Sequence, residues 1–318
     1  MQMPFSPVKA PLLLRNPETL PPEFARPVLA IGNFDGVHRG HRAVFAAAQE
    51  MAARKTVPAL ALTFEPHPRS FFNPQAAPFR LTPEAEKLTL IQKSGLAGTL
   101  ILPFDKALAS MEAEDFVRDI LVARYQISGA VVGFDFHFGR GRAGSPAFLK
   151  DAGARHGFEV VVVDALLDEG DPISSSAIRR ALAEGQVGHA AHMLGRPFRV
   201  SAQVRHGQKL GRELGFPTAN LALNDDVNLA FGIYAVRVRT PQGQFDGVAS
   251  YGRRPTFDNG AALLEVYIFD FSGDLYDQTL EVDLIAWLRP ELKFDGVETL
   301  VTQIHEDVRR ARELLAAN

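Results

Sequence analysis

One ten-residue segment combines two histidines with three glycines. Residues 32–41 read Gly-Asn-Phe-Asp-Gly-Val-His-Arg-Gly-His, between a short apolar run and a helical pattern. Gly36 and Gly40 allow a tight turn and a close approach of the backbone to a ligand. The start of the following helix exposes N–H groups that attract phosphate. His38 and His41 are three residues apart, so both rings can face one polyphosphate and donate to the charge that develops in phosphoryl transfer.

Other interpretations of this segment stay open. Histidines at such spacing also bind metals, although no nearby carboxylate or thiol has an obvious spacing to complete a metal site. The two residues are alternatively ordinary polar residues at a helix start. The segment is alternatively a turn that binds no ligand.

Further polar segments follow apolar runs in the first half of the chain. Residues 63–68 read Thr-Phe-Glu-Pro-His-Pro, and residues 133–142 read Gly-Phe-Asp-Phe-His-Phe-Gly-Arg-Gly-Arg, which suits an anion-binding loop or, for its phenylalanines, plain core. Residues 173–179 place three hydroxyls and a predicted helix start beside Arg179. That arrangement is chemically apt for holding phosphates, and by itself is also an ordinary capped helix.

The second half carries a glycine-rich segment at residues 207–220. Gly207, Gly211 and Gly215 recur at four-residue spacing, so the N–H groups between them can surround a phosphate. The segment is not a Walker A loop, because no Gly-Lys-Ser/Thr ends it. Thr218 and Asn220 offer neutral oxygens that suit Mg²⁺. A glycine-rich hairpin without a ligand remains the alternative.

Glu265 lies on a predicted strand further along the chain. A carboxylate there can take the proton from an attacking hydroxyl. A lone Glu on a strand is also explained as a solvated residue on an exposed face.

The first half is predicted to alternate strands with helices. Apolar runs predict buried strands at residues 28–31, 59–64, 100–102, 130–132 and 160–163. Helical spacing predicts helices at residues 112–125 and from residue 41, the latter with an inward face formed by Val44, Phe45, Ala48, Met51 and Ala52. This alternation indicates a parallel sheet, in which ligands bind at the carboxyl ends of the strands.

The second half has a different pattern. A helical stretch begins with three serines and ends at the Gly-Arg-Pro stop signal of residues 195–197, and the domain boundary is predicted within it. Strands predicted at residues 233–239, 245–249, 263–269 and 280–287 follow without intervening helices, which indicates an antiparallel barrel. Asp295 and Glu298 have the order of a capping box before a final helix.

Composition limits the function classes. The chain has 318 residues, no Cys, and 34 Lys+Arg against 37 Asp+Glu, for a net charge of −3. No global basic field for nucleic acid is present, and disulfides and thiol chemistry are excluded. No apolar run reaches signal-peptide or transmembrane length. A cytoplasmic protein of two domains that acts away from membranes is therefore expected, and the sequence leaves open whether it forms a homo-oligomer.

Taken together, these segments resemble the bifunctional riboflavin kinase/FMN adenylyltransferases, the bacterial FAD synthetase family. The first half carries the Gly-x-Phe-Asp-Gly-x-His-x-Gly-His loop and the Ser-Ser-x-x-Ile-Arg segment. The second half carries five segments that match the family pattern and follow one another in the same order as in the family. They are residues 207–220, 252–257, 264–267, 274–276 and 288–291. The resemblance implies a Rossmann-like nucleotidyltransferase domain at residues 1–188, a parallel sheet with helices on both faces. An antiparallel β-barrel riboflavin kinase domain with a C-terminal helix is implied at residues 189–318.

The resemblance also implies the substrates ATP, riboflavin and FMN, and roles for residues of the first domain. His38 and His41 would contact the ATP phosphates and stabilise the transition state. The residues implied to hold the triphosphate are Ser175, Ser176 and Arg179. Those implied to line the ATP site are Gly32, Asn33, Phe34 and Asp35. His67 and Asp135 would lie near the junction of ATP and FMN.

In the second domain, the resemblance implies that Thr218 and Asn220 bind Mg²⁺. Glu265 would be the general base on the ribityl 5′-hydroxyl of riboflavin. The residues implied to bind the ATP phosphates are Gly207, Gly211, Arg212, Gly215 and Pro217.

The chain departs from the family pattern at six positions. Ser176 stands where Thr is usual and keeps the hydroxyl. The other departures are Ser145, Ala202, Ser250, Tyr267 and Asp277, where Asp, Gly, Asn, His and Gly are usual.

Two other functions remain to be separated from the bifunctional one. The first is an adenylyltransferase whose barrel binds flavin without phosphorylating it. The second is a sensor that has lost turnover, against which the joint presence of the histidines, Thr218, Asn220 and Glu265 argues.

Overall fold

The computed structural model describes residues 12–76, 78–206, 211, 214–224, 226–253 and 262–317. Within it the chain forms two compact units, Met1–Ile173 and Ser174–Asn318. The domain boundary between residues 188 and 189 stays a prediction. Among the described helices, none combines the length and apolar character required to cross a membrane.

A six-stranded parallel sheet forms the centre of the first unit. Its strands are β1 (Leu12–Arg15), β2 (Val28–Ile31), β3 (Ala59–Glu65), β4 (Gly98–Pro103), β5 (Gly129–Gly133) and β6 (Glu159–Val163). They pair in the order β1-β4-β3-β2-β5-β6, and every pairing is parallel. The predicted parallel sheet is confirmed, while β1 at its edge was not predicted. Every residue of β2 and β3 is buried, as expected for strands covered on both faces.

Helices cover both faces of this sheet. They are α1 (Arg39–Lys55), α2 (Pro68–Phe72), α3 (Glu84–Gln92), α4 (Lys106–Ser110), α5 (Ala113–Asp115), continued by a π-helix at Phe116–Arg124, and α6 (Pro146–His156). The predicted inward face of α1 is confirmed, because all five of its residues are buried. They pack against β2 on one face of the sheet, while the π-helix and α6 pack against the other face. A short hairpin of β7 (Leu167–Asp168) and β8 (Asp171–Pro172) follows.

The second unit begins with two helices, α7 (Ser175–Ala183) and α8 (Val187–Leu194). The sequence suggested one helical stretch here, but Gly185 has a φ of 77° and separates the two helices. Six strands and a last helix follow: β9 (Phe198–Arg205), β10 (Thr218–Ala222), β11 (Gly232–Thr240), β12 (Gly243–Arg253), β13 (Ala262–Ile268), β14 (Thr279–Arg289) and α9 (Val297–Ala316).

The six strands close into an antiparallel barrel in the order β10-β13-β12-β11-β14-β9, which confirms the predicted barrel. Alternate residues such as Tyr234, Val236 and Leu264 are fully buried in its interior. On the outside, α9 packs Ala311 and Leu315 against strands β11 and β12.

The predicted capping box at the start of α9 is wrong. The N-cap residue is Gly296, and no side chain caps the helix there. The helix begins one residue later than the box requires. Glu298 is therefore the second residue of α9, out of register for a reciprocal bond with Asp295.

Candidate active sites

The first candidate site lies where the strand order of the parallel sheet reverses. The chain passes from β2 to β3 and β4 on one side, and later returns to add β5 on the other side of β2. Ligands of open α/β sheets bind in the crevice that forms at the carboxyl ends of strands at such a point. The loop that follows β2 carries His38, and the segment that follows β5 carries Asp135. Both segments therefore border the same crevice.

The two histidines of the loop lie against each other. His38 caps α1, and its Nδ1 accepts a hydrogen bond from the backbone N–H of His41 at 3.3 Å. The imidazole rings stack with their centroids 3.5 Å apart and their planes at 20°. Because Nδ1 of His38 is an acceptor, the proton of the neutral ring is on Nε2, which is then a donor.

The surroundings keep His41 uncharged. Burial lowers the pKa of His41 well below its usual value, and the nearby His38 and Lys87 lower it further. Its Nδ1 is buried and has no hydrogen-bond partner among the described residues. Two imidazole rings at a helix N-terminus can hydrogen-bond to phosphate oxygens as their charge changes during a reaction.

Residues 81 and 82 hold the histidine loop, the segment between β2 and α1, in a strained conformation. Phe34 and Val37 have φ angles of 52° and 40°, in the left-handed region that residues other than Gly rarely adopt. The carboxylate of Asp35, which is 2% exposed, accepts hydrogen bonds from the N–H groups of Leu81 at 3.3 Å and Thr82 at 3.1 Å. The hydroxyl of Thr82 in turn accepts one from the N–H of Gly36 at 3.0 Å. Such strain persists only where surrounding contacts over-determine it.

The residues predicted to line the ATP site form the loop itself. Phe34 is buried, with its ring edge-on to those of His41 at 5.3 Å and Phe45 at 4.7 Å. A Cβ on Gly32 would lie 2.8 Å from the ring of Phe34, so that close packing needs a glycine. Asn33 is exposed, and its carbonyl oxygen accepts from the hydroxyl of Thr63 at 3.2 Å. Contact of these residues with ATP stays a prediction.

His67 and Asp135 both lie at the carboxyl edge of the sheet. His67 is buried after β3, and its Nδ1 accepts from the N–H of Arg69 at 3.1 Å, which caps α2. Asp135 is exposed after β5. Their shared edge is the one predicted for the junction of ATP and FMN, and their role there stays a prediction.

Two serine positions are helix caps. Ser145 accepts from the N–H of Phe148 at 3.1 Å and caps α6. Because Asp caps helices equally well, this departure from the family pattern keeps the local structure. Ser174 caps α7 in the same way, and the predicted triphosphate ligands occupy the first turns of that helix in the second unit: Ser175, Ser176 and Arg179. Their phosphate contacts stay a prediction.

The second candidate site lies on the outer face of the barrel. Asn220 of β10 pairs with Glu265 of β13, which pairs with Ser250 of β12. Directly paired residues of antiparallel strands project from the same face, so the three side chains form a row. Thr218 lies on the same face as Asn220 and pairs with Tyr267. The ring of Tyr267 packs against the apolar cluster that the barrel forms with α9. The structure therefore brings together Thr218, Asn220 and Glu265.

The loop that leads into β10 is anchored at this face. The N–H of Phe216 donates to the carbonyl of Gly211 at 2.7 Å, and a Cβ on Gly211 would lie 2.4 Å from the carbonyl oxygen of Phe216. The ring of Phe216 packs against Tyr267 at 5.4 Å and against His305 of α9 at 5.0 Å. Gly215 has a φ of 86°, which favours glycine. Pro217 is exposed immediately before Thr218.

A second carboxylate lies near Glu265. Glu291 packs over Gly252, where a Cβ would lie 2.0 Å from its Oε1. Burial and the charge of Glu265 raise the pKa of Glu291, against the opposing effect of Arg289. Glu291 belongs to residues 288–291, which match the family pattern. Its proximity to Glu265 could not be predicted from the sequence, because the two residues come together only in the folded barrel.

Other predicted positions have mixed outcomes. Gly207 and Arg212 lie outside the described residues, as do residues 254–257 of a family segment. Asp277, where the family has Gly, has a φ of 62°, so the usual glycine suits this backbone better. Ala202 pairs with Leu280 in the barrel wall. Within the described residues, no group of three or more His, Cys, Asp or Glu side chains is arranged to hold a metal ion.

A parallel sheet with paired histidines at its reversal point, joined to a barrel that displays a carboxylate beside neutral oxygens, is typical of enzymes that transfer phosphate groups from nucleotides. Comparison with known proteins agrees. The family model for FAD synthetase matches residues 21–177, and the family model for riboflavin kinase matches residues 194–315.

Similar proteins span nearly the whole chain. A bifunctional riboflavin kinase/FMN adenylyltransferase from Pseudomonas fluorescens is 43% identical, covering 96% of this chain and 98% of that protein. The protein of that name from Escherichia coli K12 is 40% identical over 90% of this chain and 92% of its own length. A crystal structure described as a macrolide-efflux protein from Streptococcus pneumoniae is 31% identical, with a TM-score of 0.84 over 93% of this chain and 97% of that chain. The chain belongs to the bifunctional riboflavin kinase/FMN adenylyltransferase family.

Proposed function

We propose that this chain makes FAD from riboflavin in two ATP-dependent steps at two sites. Riboflavin and ATP give FMN and ADP at the barrel, and FMN and ATP then give FAD and pyrophosphate at the histidine loop. The observation that carries the proposal is that both family models match, one on each half of the chain. An adenylyltransferase with a silent barrel is not favoured, because the barrel also keeps Asn220 beside Glu265. The cytoplasmic location stays a prediction.

In the kinase step, Glu265 acts as general base. Its carboxylate takes the proton of the ribityl 5′-hydroxyl as that oxygen attacks the γ-phosphorus of ATP. The bond from that phosphorus to the β,γ-bridging oxygen breaks, and ADP leaves. The loop that includes Gly211 and Gly215 supplies N–H groups to the ATP phosphates, and the anchored Phe216 fixes where this loop joins β10.

Mg²⁺ is the metal proposed for the barrel site. The hydroxyl of Thr218 and the amide oxygen of Asn220 share one face of β10, next to the carboxylate of Glu265. Neutral and anionic oxygens are the donors that Mg²⁺ prefers, and it commonly takes one or two from protein and the rest from phosphates and water. When bound, the ion neutralises charge on the ATP phosphates.

In the adenylyl-transfer step, a phosphate oxygen of FMN attacks the α-phosphorus of ATP and pyrophosphate leaves. His38 and His41 donate hydrogen bonds to the phosphate oxygens as the negative charge on those oxygens increases. The residues proposed to hold the triphosphate are Ser175, Ser176 and Arg179. Positioning and charge stabilisation account for this catalysis, and no covalent protein intermediate is needed.

The test is a time course with purified protein, riboflavin, Mg²⁺ and ATP, with the flavins separated by chromatography. The proposal predicts that FMN appears first and FAD follows, because FMN must exist before it is adenylylated. FAD formed only from supplied FMN would instead show an adenylyltransferase with a silent barrel. Tight flavin binding without any product would show a sensor.

A further inference from the structure

A buried lysine lies directly behind the histidine loop. Lys87 of α3 is 1% exposed. Its Nζ lies 2.5 Å from Oε1 of Glu65 and donates hydrogen bonds to the hydroxyl of Thr63 at 3.2 Å and to the carbonyls of Asn33 and Phe64, both at 3.3 Å. Burying an ammonium is costly unless it is paired and hydrogen-bonded, so this position is a specific arrangement of the fold.

Pairing with Glu65 alone does not explain the lysine. Glu65 already accepts two hydrogen bonds from the guanidinium of Arg80, at 2.8 and 2.6 Å. An apolar side chain of the same length in place of Lys87 would leave that bidentate pair complete. Besides Glu65, the ammonium of Lys87 reaches the carbonyl of Asn33 directly, and it also donates to the hydroxyl of Thr63, which is another donor to that carbonyl.

That carbonyl belongs to the loop that carries the histidines. Asn33 directly precedes Phe34, which is strained and packs on His41. The charge of Lys87 also acts on His41, whose pKa is lowered first by burial, then by His38 and by Lys87.

Other charged groups surround these histidines in the first unit. Arg39 follows His38 at the start of α1 and lies 4.0 Å from Asp168 of the β7–β8 hairpin. Asp35 lies within the loop, and its charge, like that of Glu65, acts on Lys87. Arg39 and Asp168 offset each other, as do Arg80 and Glu65. Lys87 then offsets the charge of Asp35. Removing Lys87 would therefore leave Asp35, Glu65 and Arg80 with a net negative charge behind the loop.

We propose that Lys87 is a positioning residue for adenylyl transfer, which fixes the loop of His38 and His41 through the carbonyl of Asn33 and places a positive charge behind it. This inference rests on the proposed function, because it assumes that the loop carries out adenylyl transfer. Lys87 acts through the loop and does not itself contact the reacting atoms.

The experiment uses the full-length chain and four variants. Lys87→Met keeps the length of the side chain and removes its charge. Lys87→Met/Glu65→Gln removes one charge of each sign, which restores the balance among Asp35, Glu65, Arg80 and Lys87. Glu65→Gln alone leaves the lysine in place. Lys55→Met is the matched control, because Lys55 pairs with Glu159 at the far end of α1.

For each protein, kcat and KM for FAD formation from FMN are measured across pH. FMN formation from riboflavin and thermal unfolding are measured on the same samples. We expect Lys87→Met to lower kcat for FAD formation by about 100-fold, because small displacements of positioned groups have effects of that size. KM for FMN and the rate of FMN formation should stay near the wild-type values.

Two further results are expected. The double variant should recover wild-type thermal unfolding without recovering kcat, while Glu65→Gln and Lys55→Met keep kcat. The acidic limb of the pH profile of Lys87→Met should move to higher pH, because His41 loses a positive neighbour and takes up a proton more readily.

The proposal is overturned if the double variant regains wild-type kcat, because Lys87 would then serve only charge balance. It is equally overturned if Lys87→Met lowers both activities in parallel with thermal stability. A wild-type protein that makes no FAD from FMN and ATP would instead refute the proposed function.

Discussion

The two candidate sites are held in place by different means. In the first unit, buried side chains from distant parts of the sequence fix the histidine loop: Asp35 binds the backbone of Thr82, 47 positions away, and Lys87 reaches Asn33, 54 positions away. In the barrel, strand register places the residues, with Glu265 directly between Asn220 and Ser250.

This difference predicts different weaknesses. Removing one buried polar group leaves its partners buried without hydrogen bonds, so the first site should lose stability and activity together. In the barrel, the paired backbones of the strands hold the site residues in place. The barrel site should therefore lose less stability and activity when a side chain is shortened than when bulk is added where two backbone segments touch. Three predictions, from the largest expected effect to the smallest, test this contrast.

The largest effect is expected for Asp35→Ala. The N–H groups of Leu81 and Thr82 would lose a charged acceptor inside the protein, and the free energy of unfolding should fall by about 3 kcal/mol. FAD formation from FMN should be lost, and FMN formation from riboflavin should remain. Urea unfolding and both assays measure this, with Asp151→Ala, at an exposed position of α6, as the matched control. Wild-type stability of Asp35→Ala would contradict the anchoring role.

An intermediate effect is expected for Gly211→Ala in the barrel. The added Cβ would lie 2.4 Å from the carbonyl oxygen of Phe216, so the loop must shift. FMN formation should fall by about 100-fold, while stability falls by only about 1–3 kcal/mol and FAD formation from FMN is unchanged. Gly188→Ala is the control, because a Cβ there meets open space at the surface of α8. Equal rates of FMN formation in both variants would show that the tight loop is not required.

The smallest effect concerns pH. Because burial, His38 and Lys87 lower the pKa of His41 below the ordinary histidine value of 6.5 in the folded protein, the unfolded chain takes up a proton at higher pH. The stability tied to uncharged His41 is therefore complete above that value and is lost as the pH falls towards the lower, folded-state pKa. Urea unfolding from about pH 7 to about pH 5 should show a steeper loss for the wild type than for His41→Gln. If the wild type and His41→Gln lost stability equally as the pH falls, the pKa of His41 would not be lowered in the folded protein.

Much of the scaffold could be predicted because its signals are local. The spacing of Val44, Phe45, Ala48, Met51 and Ala52 identified the buried face of α1, and apolar runs identified the interior strands. Strand β10 was not predicted, because residues 218–222, Thr-Ala-Asn-Leu-Ala, have a weak strand pattern. Its pairing with β9 and β13 in the closed barrel decides its structure.

The supports of the first site could not be predicted from local patterns. Lys87 lies on the buried face of α3 with Leu88 and Ile91, a place where lysine is rarely found. Thr82 carries no motif, and only the fold brings it to Asp35 and Gly36. Motifs identify residues that touch ligands, whereas the residues that hold the loop are recognised only once the chain is folded.

The central claim is that one chain carries two separable reaction sites, and paired single substitutions test it most directly. Glu265→Gln should lower FMN formation by about 100-fold or more, because the general base is lost, while FAD formation from supplied FMN is unchanged. His41→Ala should lower FAD formation by about 100-fold, because a transition-state donor is lost, while FMN formation is unchanged. If either substitution abolished both reactions in a protein with wild-type thermal unfolding, the two-site account would be wrong.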